Sequence, residues 1–252
     1  MPERPAGQVL VRMHAATLNR VDLYMRDSGA GITHQLPQIM GLDGAGTIEA
    51  VDADERLLQV GQAVVVHPGL GCGRCEFCQR GEGVLCVHMR LLGEHCDGTF
   101  AQYVSVPAGN VFAMPAGLSF TEAAALGVNH LTAWRMLFTK AQLKPWETVL
   151  VFGIGGGVSL AALQLAKLTG ARVIVTSRDD AKLQRALAMG ADHAINGRTQ
   201  DVAKAVLAAT GGRGVDVVFE NVGAAVWASA MKSLVRGGRL VTCGATTGDQ
   251  PP

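Results

Sequence analysis

The sequence predicts an α/β protein of two domains, and three observations lead to this prediction. Short apolar segments separated by turn residues fill the chain up to about residue 115 and are typical of a β-rich domain. A glycine-bounded run of four cysteines interrupts this part between residues 68 and 96. From Glu147 onward apolar strands alternate with helical segments, which indicates a doubly wound parallel sheet.

The composition favours a globular protein that acts on small molecules. The 252 residues include 22 Lys plus Arg and 21 Asp plus Glu, so no strong field attracts the chain to nucleic acid or to an anionic membrane, and neither is expected as a partner. No apolar run approaches the roughly 20 residues of a spanning helix. The N-terminus also lacks a basic and then apolar signal region. We therefore expect a cytoplasmic protein.

The β-rich domain is expected at residues 1–118, with the cysteine lobe at 68–96 as an excursion from it. Five apolar runs predict its strands: Gln8–Met13, Gly46–Val51, Gln62–Val66, Phe100–Val106 and Val111–Met114.

The second domain is expected at residues 119–252 and begins with a helix. Ser119-Phe-Thr-Glu122 is a capping-box pattern in which Ser119 or Thr121 opens a helix that continues to Leu137. Five strands follow with helices between them, and their apolar runs are Thr148–Phe152, Arg172–Thr176, His193–Ile195, Val215–Phe219 and Arg239–Cys243.

The cysteine spacing predicts one structural zinc ion. Four thiolates complete a tetrahedral shell and leave no open position for substrate. An iron–sulfur cluster fits less well, because seven residues separate the third and fourth cysteines. Free or disulfide-bonded thiols are the remaining alternative. The predicted ligands are Cys72, Cys75, Cys78 and Cys86.

A glycine-rich turn between the first strand and helix of the second domain predicts a dinucleotide site. Small residues let the backbone approach a pyrophosphate, and the helix N-terminus presents free N–H groups to it. The spacing departs from G-x-G-x-x-G, and a tight turn without a ligand is the alternative interpretation. The residues of the turn assigned to the cofactor are Gly153, Gly156, Gly157 and Val158.

The end of the next strand predicts NADP(H) as the cofactor. No acidic residue stands where the adenosine ribose would bind; Ser177 and Arg178 follow the strand, with Lys182 one helical turn further. A hydroxyl and a guanidinium suit a 2′-phosphate. A solvated helix start is the alternative interpretation.

Several motifs together resemble the medium-chain dehydrogenase/reductase superfamily, in particular its zinc-containing alcohol dehydrogenase and quinone-oxidoreductase-like members. The motifs are Gly41-Leu-Asp-Gly-Ala-Gly-Thr, the four cysteines, Asp97-Gly-Thr-Phe-Ala-Gln-Tyr-Val, Leu131-Thr-Ala-Trp, the glycine turn with Gln164-Leu-Ala-Lys, and Gly214-Val-Asp-Val-Val-Phe-Glu-Asn-Val-Gly. The resemblance implies a GroES-like domain that carries the zinc lobe and a Rossmann domain.

The same resemblance assigns further cofactor contacts. Arg20 matches a pyrophosphate contact, and Thr132 matches a residue beside the nicotinamide. Asp22 matches a structural acid. The loops expected to hold the nicotinamide contribute Asn221, Val222, Gly244, Ala245 and Thr246.

Departures from the family pattern suggest a different chemistry. Asn19, Leu42 and Val128 stand at the positions that resemble the ligands of a catalytic zinc in alcohol dehydrogenases. The expected function is therefore NADPH-dependent hydride transfer to a quinone or an α,β-unsaturated carbonyl without a catalytic zinc. The Asn19 amide would donate to the developing oxyanion, and Tyr24 would supply a proton.

Two alternatives remain open at the level of the sequence. One is a zinc-type alcohol dehydrogenase, and the other is a non-catalytic nucleotide-binding or redox-sensing protein. Family members also start with an earlier strand and continue beyond the segment that ends here, so truncation at both ends is expected. Full-length relatives are expected to be homo-oligomers, which leaves the state of this chain open.

Overall fold

The computed structural model describes residues 1–27, 36–52 and 54–248, which divide into two units, Met1–Val128 and Asn129–Pro252. Each unit has its own sheet and buried core. The domain limits 1–118 and 119–252 remain a prediction. Within the described residues no helix combines the length and apolar character needed to cross a membrane.

An antiparallel sheet of five strands forms the first unit, in the order β6-β1-β2-β3-β7. Its strands alternate in burial, and Val9, Val11, Val64 and Val66 contribute to one core. The five strands expected from the sequence are confirmed. The elements of this unit are β1 (Gln8–Ala16), α1 (Arg20–Arg26), β2 (Gly44–Ala50), β3 (Ala63–Val66), β4 (Gly69–Leu70), α2 (Glu76–Gln79), β5 (Arg90–Leu91), β6 (Tyr103–Pro107), β7 (Val111–Ala113) and α3 (Phe120–Ala124).

The helical segment after residue 119 differs from the single helix expected. Ser119 caps α3, and the carboxylate of Glu122 accepts from the Ser119 N–H at 2.9 Å, as the capping box predicts. A new helix, α4 (Gly127–Trp134), then begins and continues as a π-helical turn over Arg135–Lys140. The break has a cause: the N–H of Val128 donates to the Asp43 carboxylate at 2.7 Å.

A parallel sheet in the order β10-β9-β8-β11-β12 forms the second unit. Its strands and helices are β8 (Thr148–Val151), α5 (Gly157–Thr169), β9 (Arg172–Ser177), α6 (Asp180–Ala188), β10 (His193–Asn196), α7 (Val202–Ala209), β11 (Val215–Glu220), α8 (Ala224–Ser233) and β12 (Leu234–Thr242). All residues of β8 and β11 are buried, because helices cover both faces of the sheet. The doubly wound fold is confirmed.

Strand β12 starts earlier than the sequence suggested. Leu234 already pairs with Val215, and regular pairing resumes with Arg239 opposite Val217. The residues between bulge out of the ladder at Gly237, whose φ is +77°. An apolar run alone does not reveal such a bulge, because its first paired residue is separated from the rest.

Two acidic side chains stabilise the amino ends of β8 and β11. Arg239 donates to both oxygens of Glu147, at 2.8 and 2.6 Å, and to the carbonyl of Ala141 at 2.8 Å. Asp216 accepts from the Thr148 N–H at 2.9 Å and from Arg213. Hydrogen bonds from Arg239 hold the pKa of Glu147 below its usual value, and Arg213 does the same for Asp216.

We expect the Glu147→Gln substitution to destabilise the second unit at neutral pH by about 1.5–3 kcal/mol, the usual size of a charged hydrogen bond. Since the folded-state pKa of Glu147 is lowered, its contribution is present above the ordinary value of 4.5 and is lost as pH falls below it. Thermal unfolding of both proteins from pH 7 to pH 3 measures this. The exposed Glu3→Gln change is the control, and an equal difference at pH 7 and pH 3 would contradict the assignment.

Candidate functional site

The four predicted zinc ligands lie together in the cysteine lobe. All four Sγ atoms lie within 4.8 Å of one another. A tetrahedral Zn²⁺ site with bonds of about 2.3 Å needs sulfurs about 3.8 Å apart, so the cluster fits zinc after a small contraction. The pairing of β4 with β5 closes the base of the lobe. Among the described residues this is the group of His, Cys, Asp or Glu side chains that suits a metal ion.

Backbone N–H groups lie close to sulfurs of the cluster, where they stabilise the thiolate form. The N–H groups of Cys72 and His88 point at Cys86 Sγ, both at 3.3 Å. Backbone donation, chiefly from Cys78 N–H, lowers the pKa of Cys75 to about 6, whereas burial raises the pKa of Cys78 to about 11. Zinc would remove this spread, because a coordinated thiol is deprotonated.

The glycine turn after β8 is open to solvent at the reversal point of the parallel sheet. Gly153 and Gly155 have φ values of +66° and +110°, which side chains rarely adopt. Gly155 and Gly157 are exposed, and Gly156 caps α5 without a side-chain hydrogen bond. The first N–H groups of α5, including that of Val158, are therefore available to an anionic ligand.

The residues at the end of β9 border this turn. A Cβ on Gly155 would meet Lys182 Cδ at 2.7 Å, so the Lys182 stem lies directly over the turn. Arg178 is exposed, and neither it nor Lys182 makes an ion pair within the described part of the chain. The nearby Asp179 carboxylate caps α6 by accepting from the N–H groups of Ala181 and Lys182.

The loops after β11 and β12 are joined to each other and to α5. Asn221 Nδ2 donates to Ser159 Oγ on α5 at 2.9 Å. The Thr246 hydroxyl lies 3.5 Å from the Asn221 carbonyl, and the Thr247 N–H donates to the Val222 carbonyl at 2.8 Å. The loop after β12 thus lies beside Asn221 and Val222, and the assignment of Gly244, Ala245 and Thr246 to the nicotinamide remains a prediction.

Asn19 belongs to a buried polar cluster around Asp43. Asn19 Nδ2 donates to Asp43 Oδ1 at 3.0 Å and to Thr17 Oγ1 at 3.2 Å, and the Thr17 hydroxyl also donates to Asp43. Burial raises the pKa of Asp43. Asp22 accepts from the Asn19 N–H at 2.6 Å, and burial likewise raises its pKa. Both amide hydrogens of Asn19 are therefore engaged.

The positions expected to match a catalytic zinc do not form a zinc ligand set. Leu42 is buried, Val128 presents its backbone N–H to Asp43, and the Asn19 amide nitrogen faces Asp43. Two of the three side chains are hydrocarbon, and an amide nitrogen does not ligate zinc.

The remaining residues that the sequence assigned to substrate or cofactor are Arg20, Tyr24 and Thr132. The Arg20 guanidinium carbon lies 5.8 Å from the centre of the Tyr24 ring, one helical turn along α1. Tyr24 and Thr132 are half-buried. The roles of Arg20, Tyr24, Thr132 and Asn19 toward substrate or cofactor remain predictions.

Two structurally central residues, Asp43 and Glu220, were not assigned a role from the sequence. Each is fully buried. An acidic residue inside or at the end of an otherwise apolar strand is the signal that could have identified them.

Two family models match the chain. The model for the alcohol dehydrogenase GroES-like domain matches residues 5–116, and the model for zinc-binding dehydrogenase matches residues 157–251.

Relatives and a solved structure cover nearly the whole chain. Sorbitol dehydrogenase of Bacillus subtilis (strain 168) is 34% identical over 100% of this chain and 72% of the relative. An alcohol dehydrogenase of Geobacillus stearothermophilus is 35% identical over 96% of this chain and 72% of the relative. A crystal structure of an NAD-dependent alcohol dehydrogenase superposes with a TM-score of 0.94 at 43% identity, covering 98% of this chain and 72% of that one.

These relatives correct the expected reaction. The sequence suggested a quinone or enone reductase that works without a catalytic zinc, and that expectation is wrong, since the relatives are named sorbitol and alcohol dehydrogenases. The geometry offers a physical reason: the Asn19 amide hydrogens, which were expected to stabilise an oxyanion, already donate to Thr17 and Asp43.

We expect the Cys75→Ser protein to contain about one zinc ion per chain fewer than the unaltered protein, because three thiolates do not close the shell. Cys96→Ser is the matched control, since Cys96 lies outside the cluster. Metal analysis of freshly purified proteins by mass spectrometry gives the counts. Unchanged zinc content in the Cys75 variant would contradict the assignment.

Proposed function

The chain belongs to the zinc-type alcohol dehydrogenases of the medium-chain dehydrogenase/reductase superfamily, and from this we propose that it is a nicotinamide-dependent alcohol dehydrogenase. The proposal rests mainly on one observation, the similarity of nearly the whole chain to dehydrogenases of alcohols and sugar alcohols. In the forward reaction an alcohol loses a hydride from its carbinol carbon and a proton from its hydroxyl. The reverse reaction reduces the carbonyl compound.

The second unit would hold the cofactor. The exposed turn from Gly153 to Gly157 fits a pyrophosphate, because four of its five residues are glycines and α5 begins there with free N–H groups. The bound nicotinamide supplies the hydride acceptor. The loops that contain Asn221 and Gly244 would orient its ring over the ends of β11 and β12.

Asn19 enters this proposal as a buried residue whose amide is already engaged within the first unit. Its two amide hydrogens donate to Thr17 and Asp43, and its oxygen faces the Asp22 N–H in the capping box of α1. Leu42 and Val128 offer no ligand for a second metal ion.

We further propose that NADP(H) is the preferred cofactor, although the solved relative is described as NAD-dependent. The exposed Arg178 and Lys182 have no ion-pair partner among the described residues. Of the two carboxylates that follow Arg178 in sequence, Asp179 caps α6 and Asp180 accepts from Asn196. A 2′-phosphate would therefore meet cations rather than a free carboxylate.

We expect the protein to oxidise alcohols or sugar alcohols with NAD⁺ or NADP⁺ and to reduce the matching carbonyl compounds. A panel of ethanol, benzyl alcohol and sorbitol, compared with quinones and enones, measures this by nicotinamide absorbance. Quinone or enone reduction without alcohol oxidation would contradict the proposal.

In the Gly155→Val protein, backbone strain and the clash with Lys182 should lower dehydrogenase activity at least about tenfold. Gly61→Val, where φ is +85° and nothing lies within 4 Å, is the control.

The Arg178→Ala protein should bind NADPH about tenfold more weakly, the expected cost of one charged hydrogen bond, while NADH binding stays unchanged. Arg185→Ala is the charge-matched control, because Arg185 is exposed on α6, whereas Arg178 lies before that helix. Calorimetric titration of the unaltered protein and of both variants with NADPH and with NADH gives six dissociation constants. Equal losses for NADPH and NADH, or an unaltered protein that prefers NADH, would contradict the proposed preference.

A further inference from the structure

Glu220 is a buried carboxyl group without a cationic partner. It ends β11, has no exposed surface, and forms no ion pair within the described part of the chain. The other buried acids of this sheet, Glu147 and Asp216, each pair with an arginine. Burying a carboxyl group without a cationic partner costs free energy, even when neutral donors satisfy it. We therefore infer the role of Glu220 from the groups that donate hydrogen bonds to it.

Those partners belong to two different loops. One oxygen of Glu220 accepts from the N–H of Val222 and from that of Gly223, the latter at 2.7 Å. The other oxygen accepts from the Thr242 hydroxyl at 3.0 Å, where β12 ends. The Glu220 carbonyl accepts from the Cys243 N–H at 3.1 Å. This residue thus connects the loop after β11 to the loop after β12.

The two loops approach each other so closely that their shape depends on this connection. Gly223 has a φ of +94°, and a Cβ there would meet the Gly248 carbonyl oxygen at 2.5 Å and Ala245 Cα at 3.0 Å. The Ala224 N–H donates to the same Gly248 carbonyl at 3.0 Å. Without the Glu220 carboxyl, the N–H groups of Val222 and Gly223 would lose their hydrogen-bond acceptor. The turn at these residues would then no longer be held by this carboxyl against the loop after β12.

The position of these loops relates them to one half of a dinucleotide. The chain leaves β8 toward β9 and β10 and then returns to the other side of β8 with β11 and β12. Ligands of such sheets bind outside the carboxyl ends of the strands, at the point where the strand order reverses. A pyrophosphate on the turn after β8, with its adenosine toward β9, directs the nicotinamide half toward β11 and β12.

We propose that Glu220 is a positioning residue for the nicotinamide half of the cofactor. Its carboxyl group holds the loops after β11 and β12 in the shape that receives the nicotinamide ring, and it does so without touching the cofactor. The inference rests on the proposed function, since it requires a nicotinamide dinucleotide at this sheet. Loops that are already ordered before binding improve affinity, because less conformational entropy is lost.

The test compares whole dinucleotides with ligands that lack the nicotinamide half. NADPH is paired with 2′-phospho-ADP-ribose, and NADH with ADP-ribose, in calorimetric titrations. We expect Glu220→Ala to weaken NADPH or NADH binding about tenfold relative to the matching truncated ligand. Glu220→Gln keeps an acceptor for Val222 and Gly223 and should restore most of the affinity, which a general loss of stability would not explain.

Asp216→Ala is the matched control on the same strand. Asp216 is also buried and also accepts a backbone N–H, but it lies at the opposite end of β11. We expect its substitution to lower the melting temperature without changing the ratio of the two affinities. If Asp216→Ala changed that ratio as much as Glu220→Ala, or if Glu220→Ala weakened both ligands equally, the inference would be overturned.

Other outcomes are also decisive. If Glu220→Ala does not fold, Thr242→Val removes one contact to the same carboxyl and should cause a smaller loss, about threefold, confined to the whole dinucleotide; an unchanged ratio there overturns the inference. If the unaltered protein binds none of the four ligands, the proposed function fails and the inference fails with it. If the unaltered protein binds them but no variant is selective, only the inference fails.

Discussion

Backbone groups at the carboxyl ends of parallel strands need partners after the ladder ends, and this constraint organises the second unit. After β8 no side-chain cap meets this requirement at the start of α5, and the glycine turn and the first N–H groups of the helix lie exposed. At β11 and β12 it is met internally, because Glu220 accepts from the loop N–H groups and Asn221 reaches Ser159. The carboxyl end of the sheet thus combines an open turn that exposes N–H groups with two closed loops beside it, and the proposed dinucleotide site rests on this combination.

A buried carboxyl group has a comparable role in the first unit. Asp43 accepts from Thr17 and Asn19 near α1 and from the N–H of Val128, where α4 begins. Its carbonyl accepts from the Thr99 hydroxyl at 2.9 Å. Three segments that are distant in sequence therefore depend on one residue, two of them on its carboxylate and one on its carbonyl. The same contacts restart the helix at Gly127 and orient the Asn19 amide, so local structure and candidate chemistry have one cause.

Features that depend on local spacing were predictable from the sequence. The alternating valines of β1 and β3, the glycine turn and the four cysteines all carry their signal within a few residues. Features that depend on distant partners were not. The break before α4 requires Asp43, which is far away in sequence, and the bulge of β12 requires pairing with Val215. Glu220 follows the apolar residues of β11 directly, but its importance appears only when Thr242 and Gly223 are seen around it.

The corrected reaction shows why missing groups are weak evidence for a mechanism. Asn19, Leu42 and Val128 suggested a different reaction because ligands expected from the family pattern were replaced. The contacts that are present give Asn19 a structural role: its amide hydrogens donate to Thr17 and Asp43, and its oxygen faces the Asp22 N–H in the capping box of α1. A replaced ligand therefore does not identify the new reaction, because the residue that replaces it can be held by partners such as Asp43 inside the protein.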